Sequence, residues 1–369
     1  MAVAYVYFTA LPTPLQNTIP NLPYILAVAV LLMAIYFNIG SLFYLGLICF
    51  FSWFVLSQGW LVSATTVNLT AVACILSLLA LGLLTEKGLL SAAWLRHLIV
   101  IVIFTSLYVF ATQPPLILDT LMATQVLPIS WFDWTPLNQL TWGLSLLVGL
   151  ILATTYMTQN KRQSLNGLII LIVILLLLSF RENDTASALI CNGGLLVLLF
   201  SALQKSWHLA YVDALTALPG RRALEEKLQR SLGIYALAML DVDHFKKFND
   251  SYGHDVGDDV LRMIAAKINQ VGGGGKAFRY GGEEFTVVFN NHSADEISTH
   301  LQTLIDVIAA TPFVVNRRKK QKPKTVQVTI SIGLTDSIQK ANASETIKTA
   351  DEALYQAKKK GRNRLHIKH

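Results

Sequence analysis

Ala277-Phe-Arg-Tyr-Gly-Gly-Glu-Glu-Phe-Thr-Val-Val-Phe289 consists of two short apolar runs on either side of two consecutive glycines. Adjacent glycines allow the backbone angles of a tight reversal, so the stretch predicts a β-hairpin: a strand over 277–280, a turn at Gly281 and Gly282, and a return over 285–289. Glu283 and Glu284 leave the turn on alternating faces of the returning strand. Taken alone, Gly-Gly-Glu-Glu is also what an ordinary polar hairpin shows. The residues upstream give it a partner. Ile234 to Leu240 reads as an apolar strand running into Asp241-Val-Asp243, and pairing it with the hairpin would bring Asp241 beside the glutamates. Carboxylates gathered at strand ends suit magnesium, a hard cation that takes a few oxygen ligands and shares phosphate oxygens with its substrate.

The region around the hairpin alternates strands with amphipathic helices, a compact α/β pattern with helices against a central sheet. The first half of the chain is different. The protein has 369 residues, is 53% hydrophobic and only 14% charged, too apolar for an ordinary water-soluble chain. Residues 1–203 hold five basic and five acidic residues, whereas the remainder holds 25 basic and 18 acidic, so the whole net charge of +7 lies in the C-terminal part. That excess fits an anionic substrate or an anionic membrane surface. Apolar stretches at 23–39, 41–57, 67–84, 97–112, 139–157, 165–180 and 186–203 predict an all-α transmembrane bundle of about seven helices. Placing the N-terminus outside puts Lys87, Arg96, Lys161 and Arg162 on the cytoplasmic side and the 113–138 connection outside, with Arg181 as the exception. The same parity puts the C-terminal domain in the cytoplasm. Cys49, Cys74 and Cys191 fall in apolar runs and imply no disulfide framework. The spans carry almost no central ionisable residue, which favours an anchor or sensor over an ion pathway.

No Pro or Gly interrupts the sequence between Phe200 and Leu218. The last span is therefore expected to continue as a helix through 204–212, between a membrane domain at 1–203 and a soluble domain at 213–369. Such a helix either transmits motion or serves as a tether with an interfacial Trp207. Arg317 to Lys324 is a dense basic run, read as a solvated hairpin tip or a contact for anionic lipid.

Six blocks occur in order: Asp213-Ala-Leu-Thr-Ala-Leu-Pro-Gly-Arg-Arg222; Asp241-Val-Asp-His-Phe-Lys-Lys-Phe-Asn-Asp250; Gly253-His-Asp-Val-Gly-Asp258; Arg279-Tyr-Gly-Gly-Glu-Glu-Phe285; Ser331-Ile-Gly333; and Ala350-Asp-Glu-Ala-Leu-Tyr-Gln-Ala-Lys-Lys-Lys-Gly-Arg-Asn363. Together they resemble the GGDEF family of diguanylate cyclases, over about residues 210–369. The resemblance implies a nucleotidyl-cyclase-like domain with a mostly antiparallel central sheet. It further implies an enzyme that condenses two GTP into cyclic di-GMP and two pyrophosphates as a homodimer, without nucleic acid. Asp241, the carbonyl of Val242 and Glu283 would hold Mg2+ or Mn2+. Glu284 would be the base toward the attacking 3′-hydroxyl, and Lys246 would steady phosphate charge. Asn249 and Asp258 would read the guanine edge with His254 nearby, Gly281 and Gly282 would let the nucleotide lie close, and Lys358 and Arg362 would hold the triphosphate. An Asp at 258 can accept from both N1–H and the exocyclic amine of guanine, a donor pair that adenine lacks. Without the resemblance, Lys358 to Lys360 and Arg362 would read rather as a solvated basic helix end complementing its dipole. The family's Arg-x-x-Asp inhibitory motif is replaced by Gly272 and Gly275, so no inhibitory site is expected; the glycine run reads as a flexible connection. A receptor that binds nucleotide without turnover and a transporter with a regulatory domain are the competing readings. The membrane half is expected to sit in a bacterial inner membrane and to leave room for an unknown ligand.

Overall fold

The computed structural model describes residues 18–60, 63–83, 88–89, 135–231, 233–315, 324–338, 340 and 342–369, with isolated positions between 120 and 132. The chain divides into two compact units, Met1–Ser206 and Trp207–His369.

In the first unit, a short 3-10 turn at Ile19–Asn21 leads into α1 (Leu22–Tyr36), followed by α2 (Gly40–Ser57), α3 (Ala64–Leu83), α4 (Gln139–Gln159), α5 (Arg162–Ser179) and α6 (Asp184–Tyr211). All six, the first taken together with its 3-10 turn as Ile19–Tyr36, are long and apolar enough to cross a bilayer. The expected span at 97–112 lies outside the described residues, so the described bundle has six such helices rather than about seven. They are apolar all round. Val30, Ile75, Leu152 and Ile174 are fully buried, while Leu146, Leu150, Leu32 and Ile25 are at least 61% exposed. A surface as apolar as the core is what a lipid solvent demands. Among these helices the only Lys, Arg, Asp or Glu residues are Arg162, Asp184 and Lys205, all near an end. The helices are joined by neutral polar contacts. Asn68 Oδ1 on α3 accepts from Asn138 N (2.8 Å) and Thr141 Oγ1 (2.9 Å) at the start of α4. Ser164 Oγ on α5 donates to Gly82 O (3.1 Å), and Ser201 Oγ on α6 donates to Asn166 Oδ1 (2.9 Å). Such bonds matter more where no water competes for the polar groups.

The second unit contains α7 (Arg221–Gln229), β1 (Tyr235–Val242), α8 (Phe245–Tyr252), α9 (His254–Ile268), β2 (Lys276–Gly281), β3 (Glu284–Asn290), α10 (Ala294–Ala310), β4 (Phe313–Val315), β5 (Lys324–Val326), β6 (Ile330–Asp336), α11 (Ala343–Lys359) and β7 (Leu365–Ile367). Five strands form one sheet in the order β2-β3-β1-β6-β7. Every pairing is antiparallel except β6 with β7. β1 is buried along its whole length, which is why it reads as a continuous apolar run rather than an alternating one. Ala238, Leu240, Phe285, Val287 and Phe289 form one face of the sheet with α9 and α10. Tyr235, Leu237 and Met239 form the other with α7 and α11. α11 presses directly on β6: a Cβ on Gly333 would lie 2.0 Å from Leu354 N and 2.3 Å from Ala350 O. The basic run expected at a hairpin tip falls between β4 and β5, where 316–323 lie outside the described residues.

Candidate active site at the β1–β3 edge

β1 extends to Val242, so Asp241 sits within the strand rather than just beyond it. The antiparallel register sets Asp241 opposite Glu284 on one side and Ser331 on the other. Paired residues in such a ladder project their side chains to the same face, the face that α11 covers. Lys358, in the last turn of α11, reaches Asp241 with Nζ 2.8 Å from Oδ2.

Burial pushes the Asp241 carboxyl above the ordinary carboxylate range, against the pull of Lys358 and, more weakly, Arg362; neighbouring Asp243 adds to the rise. Glu283 and Glu284 are also raised, first by burial and then by the charge of Asp241, with Lys358 opposing in both cases. Three carboxylates, the two glutamates held up by the charge of Asp241, and two nearby cations therefore share this edge. Among the described residues no three His, Cys, Asp or Glu side chains are gathered in metal-holding geometry. The expected donor set is smaller: two carboxylates, Asp241 and Glu283, with the Val242 carbonyl. Its chemistry fits a divalent cation, because added positive charge relieves the repulsion that burial and crowding create.

The turn itself is fixed from behind. The Arg279 guanidinium donates to Gly282 O through Nη2 (2.6 Å) and Nε (3.2 Å), and to Asp213 Oδ1 through Nη1 (2.7 Å). Asp213 also accepts from the backbone N–H (2.8 Å) and hydroxyl (2.7 Å) of Thr216. These bonds hold its carboxyl below the usual range although burial pushes the other way. The first sequence block is thus bolted to the hairpin by Arg279, a role its position in the sequence did not reveal. Arg221 lies over the Tyr280 ring at 4.7 Å, and a 390 Å³ recess beside Gly281 and Gly282 is lined by Asp213, Arg221, Arg279 and Tyr280.

The expected guanine-reading residues lie on α8 and α9. Asn249 Oδ1 is buried, has no hydrogen-bond partner, and lies against Gly257 in the first turn of α9. Half-buried Asp258 is the next residue; Lys246 and His254 are exposed. A buried carbonyl oxygen without a donor is costly, and a ligand N–H would satisfy it. Among the described residues neither Lys246 nor His254 forms an ion pair with the acidic edge, whereas Lys358 and Arg362 are coupled to it. Where the inhibitory motif would lie, the glycine run forms a turn packed against its neighbours rather than a loose connection: a Cβ on Gly275 would sit 2.6 Å from the Phe289 ring, and one on Gly272 would meet His300.

The fold and this edge define a nucleotidyl-cyclase-like domain, and a family profile described as diguanylate cyclase, GGDEF domain, matches residues 210–364. Those residues are a GGDEF domain. Diguanylate cyclase DgcP of Pseudomonas aeruginosa is 37% identical over 176 residues, covering 45% of this chain and 25% of that protein. Response regulator PleD of Caulobacter vibrioides is 36% identical over 171 residues, covering 44% and 37%. The chain therefore spans only 25% and 37% of the length of these curated relatives. The solved coiled coil and GGDEF domain of DgcB from Caulobacter crescentus, in complex with c-di-GMP, is 31% identical. That match covers 46% of this chain and 92% of the other, with a TM-score of 0.43.

Proposed function

We propose that this protein is a membrane-anchored diguanylate cyclase of a bacterial inner membrane, with its GGDEF domain on the cytoplasmic side. The observation that carries the reading is the meeting of Asp241, Glu283 and Glu284 with Lys358 and Arg362 on one sheet edge. Carboxylates alone would suit a metal. Carboxylates flanked by two cations suit a metal with a polyphosphate.

Asp241, Glu283 and the Val242 carbonyl would hold Mg2+, which supplies positive charge at the α-phosphate. Lys358 leaves Asp241 for the triphosphate and is joined there by Arg362 and Lys246. Asn249 accepts from guanine with the oxygen that is otherwise unpartnered, and Asp258 accepts a second N–H, with His254 beside them. Glu284, whose carboxyl is raised above the ordinary range by burial and by Asp241, takes the proton from the 3′-hydroxyl. Each 3′-oxygen forms a bond to the α-phosphorus of the opposite GTP while the bond to pyrophosphate breaks. Two bonds form and two pyrophosphates leave, so two domains must face each other. The apolar bundle anchors the protein and sets how often the domains meet, in response to a ligand or a state of the bilayer.

Protein in nanodiscs, given GTP and Mg2+, is expected to release cyclic di-GMP and pyrophosphate in a molar ratio of one to two. Glu284→Ala should bind GTP and release neither. Wild-type protein that binds GTP and turns none over would establish the receptor reading instead.

A further inference from the structure

Asp243 is two residues past Asp241, equally acidic and only 7% exposed, yet its surroundings are different. Oδ1 accepts from Ser331 Oγ at 2.6 Å. Oδ2 accepts from Thr329 Oγ1 at 2.7 Å and from the backbone N–H of Asn363 at 3.0 Å. Its own N–H donates to Thr329 O at 2.9 Å. Both carboxylate oxygens are engaged with the protein, whereas Asp241 meets a mobile-ended lysine. Asn363 is the informative partner. It follows Gly361 and Arg362 at the end of α11, and Arg362 and Asn363 have φ of 61° and 45°. Two successive non-glycine residues in the left-handed region are unfavourable unless the surroundings impose them. Asp243 supplies that constraint, and Arg362 N donates back to Ala357 O at 3.1 Å. The reversal carries Arg362 at its apex and Lys358 one turn before it.

We propose that Asp243 is a positioning residue: its buried carboxylate clamps the left-handed turn after α11 and so sets the two cations that receive the triphosphate. It is not a metal ligand. The inference rests on the reading above that Lys358 and Arg362 meet phosphate oxygens.

The test uses full-length protein in nanodiscs and equilibrium binding of a non-hydrolysable GTP analogue, of guanosine, and of Mn2+ as a metal probe. Asp243→Asn keeps the shape but places an amide where an acceptor faced a hydroxyl or the Asn363 N–H. It is expected to weaken the analogue about tenfold, near 1.4 kcal/mol, while guanosine and Mn2+ affinities stay at wild-type values. Ser331→Ala, which removes one donor, should shift analogue affinity in the same direction by less. In a Lys358→Ala, Arg362→Ala background, adding Asp243→Asn should weaken the analogue no further, since it acts through those residues. A loss of Mn2+ affinity with analogue binding intact would make Asp243 a metal ligand and overturn the proposal, as would an additive loss in that background. Should Asp243→Asn fail to fold, Ser331→Ala in both backgrounds decides the same question. Turnover is not read, so wild-type protein that binds the analogue but makes no product would sink the cyclase reading while leaving the clamp standing.

Discussion

Asp241 raises the cost of ionising both Glu283 and Glu284, Asp243 does the same to Asp241, and burial is the largest cause for all three. A carboxyl whose value is raised in the folded state binds its proton more tightly folded than unfolded. Its contribution to stability therefore grows as pH falls through the raised value and is lost as pH rises through it. The metal-free GGDEF domain should accordingly become more resistant to unfolding between neutrality and the ordinary Glu value of about 4.3. Hydrogen exchange of the β1 and β3 amides is the measure. Added Mg2+ should flatten this dependence, and Glu283→Gln with Glu284→Gln should remove most of it. Asp213, Glu296 and Glu352 are shifted the other way, and their stabilisation is lost at lower pH, so the two trends separate. Protection that only declines from neutrality downward would contradict the crowding of the acidic edge.

At the scale of elements, α11 is placed by contact between backbones. Gly333→Ala puts a methyl group into Leu354 N and Ala350 O, neither of which can swing aside. A cost of about 3 kcal/mol is expected, at the upper end for overpacking, seen as a lower denaturation midpoint of the GGDEF domain. GTP-analogue affinity should fall with it, because the end of α11 carries Lys358. The hairpin is similarly not self-sufficient. Its turn is held by Arg279, which reaches both Gly282 and Asp213.

For the whole molecule, α6 is the decisive element, because it runs unbroken for 28 residues through the unit boundary. At 1.5 Å per residue it is about 42 Å long, against a hydrocarbon core of about 30 Å. Gly193, Leu196, Phe200, Leu203 and Trp207 are all exposed along it, at spacings of three and four, the repeat of a coiled-coil seam. Since the proposed reaction needs two domains, this stripe is expected to face its counterpart in a second copy. Cysteine at Leu203 should form a disulfide between copies under mild oxidation, and cysteine at buried Ala202 should not. Equal cross-linking at both positions would remove the stripe from the dimer.

Much of this was legible in the residues. Six apolar helices, the 277–289 hairpin and the apolar strand into Asp241 follow from hydropathy and period, because burial in lipid or within a sheet leaves its mark on residue type. Lys358 and Arg362 were legible as a basic helix end, but not their meeting with Asp241, which is over a hundred residues away in sequence. The glycine run at 272–275 has two local reasons: Gly272 and Gly275 are crowded by His300 and Phe289, and Gly273 and Gly274 turn through a φ of 70° that glycine takes readily. Residue types and local spacing by themselves determined the elements and the kind of chemistry on offer. Only the tertiary structure decided the division of labour between Asp241 and Asp243. Two acids in one Asp-Val-Asp run differ solely in what folds against them: a lysine and two glutamates in one case, two hydroxyls and a backbone N–H in the other.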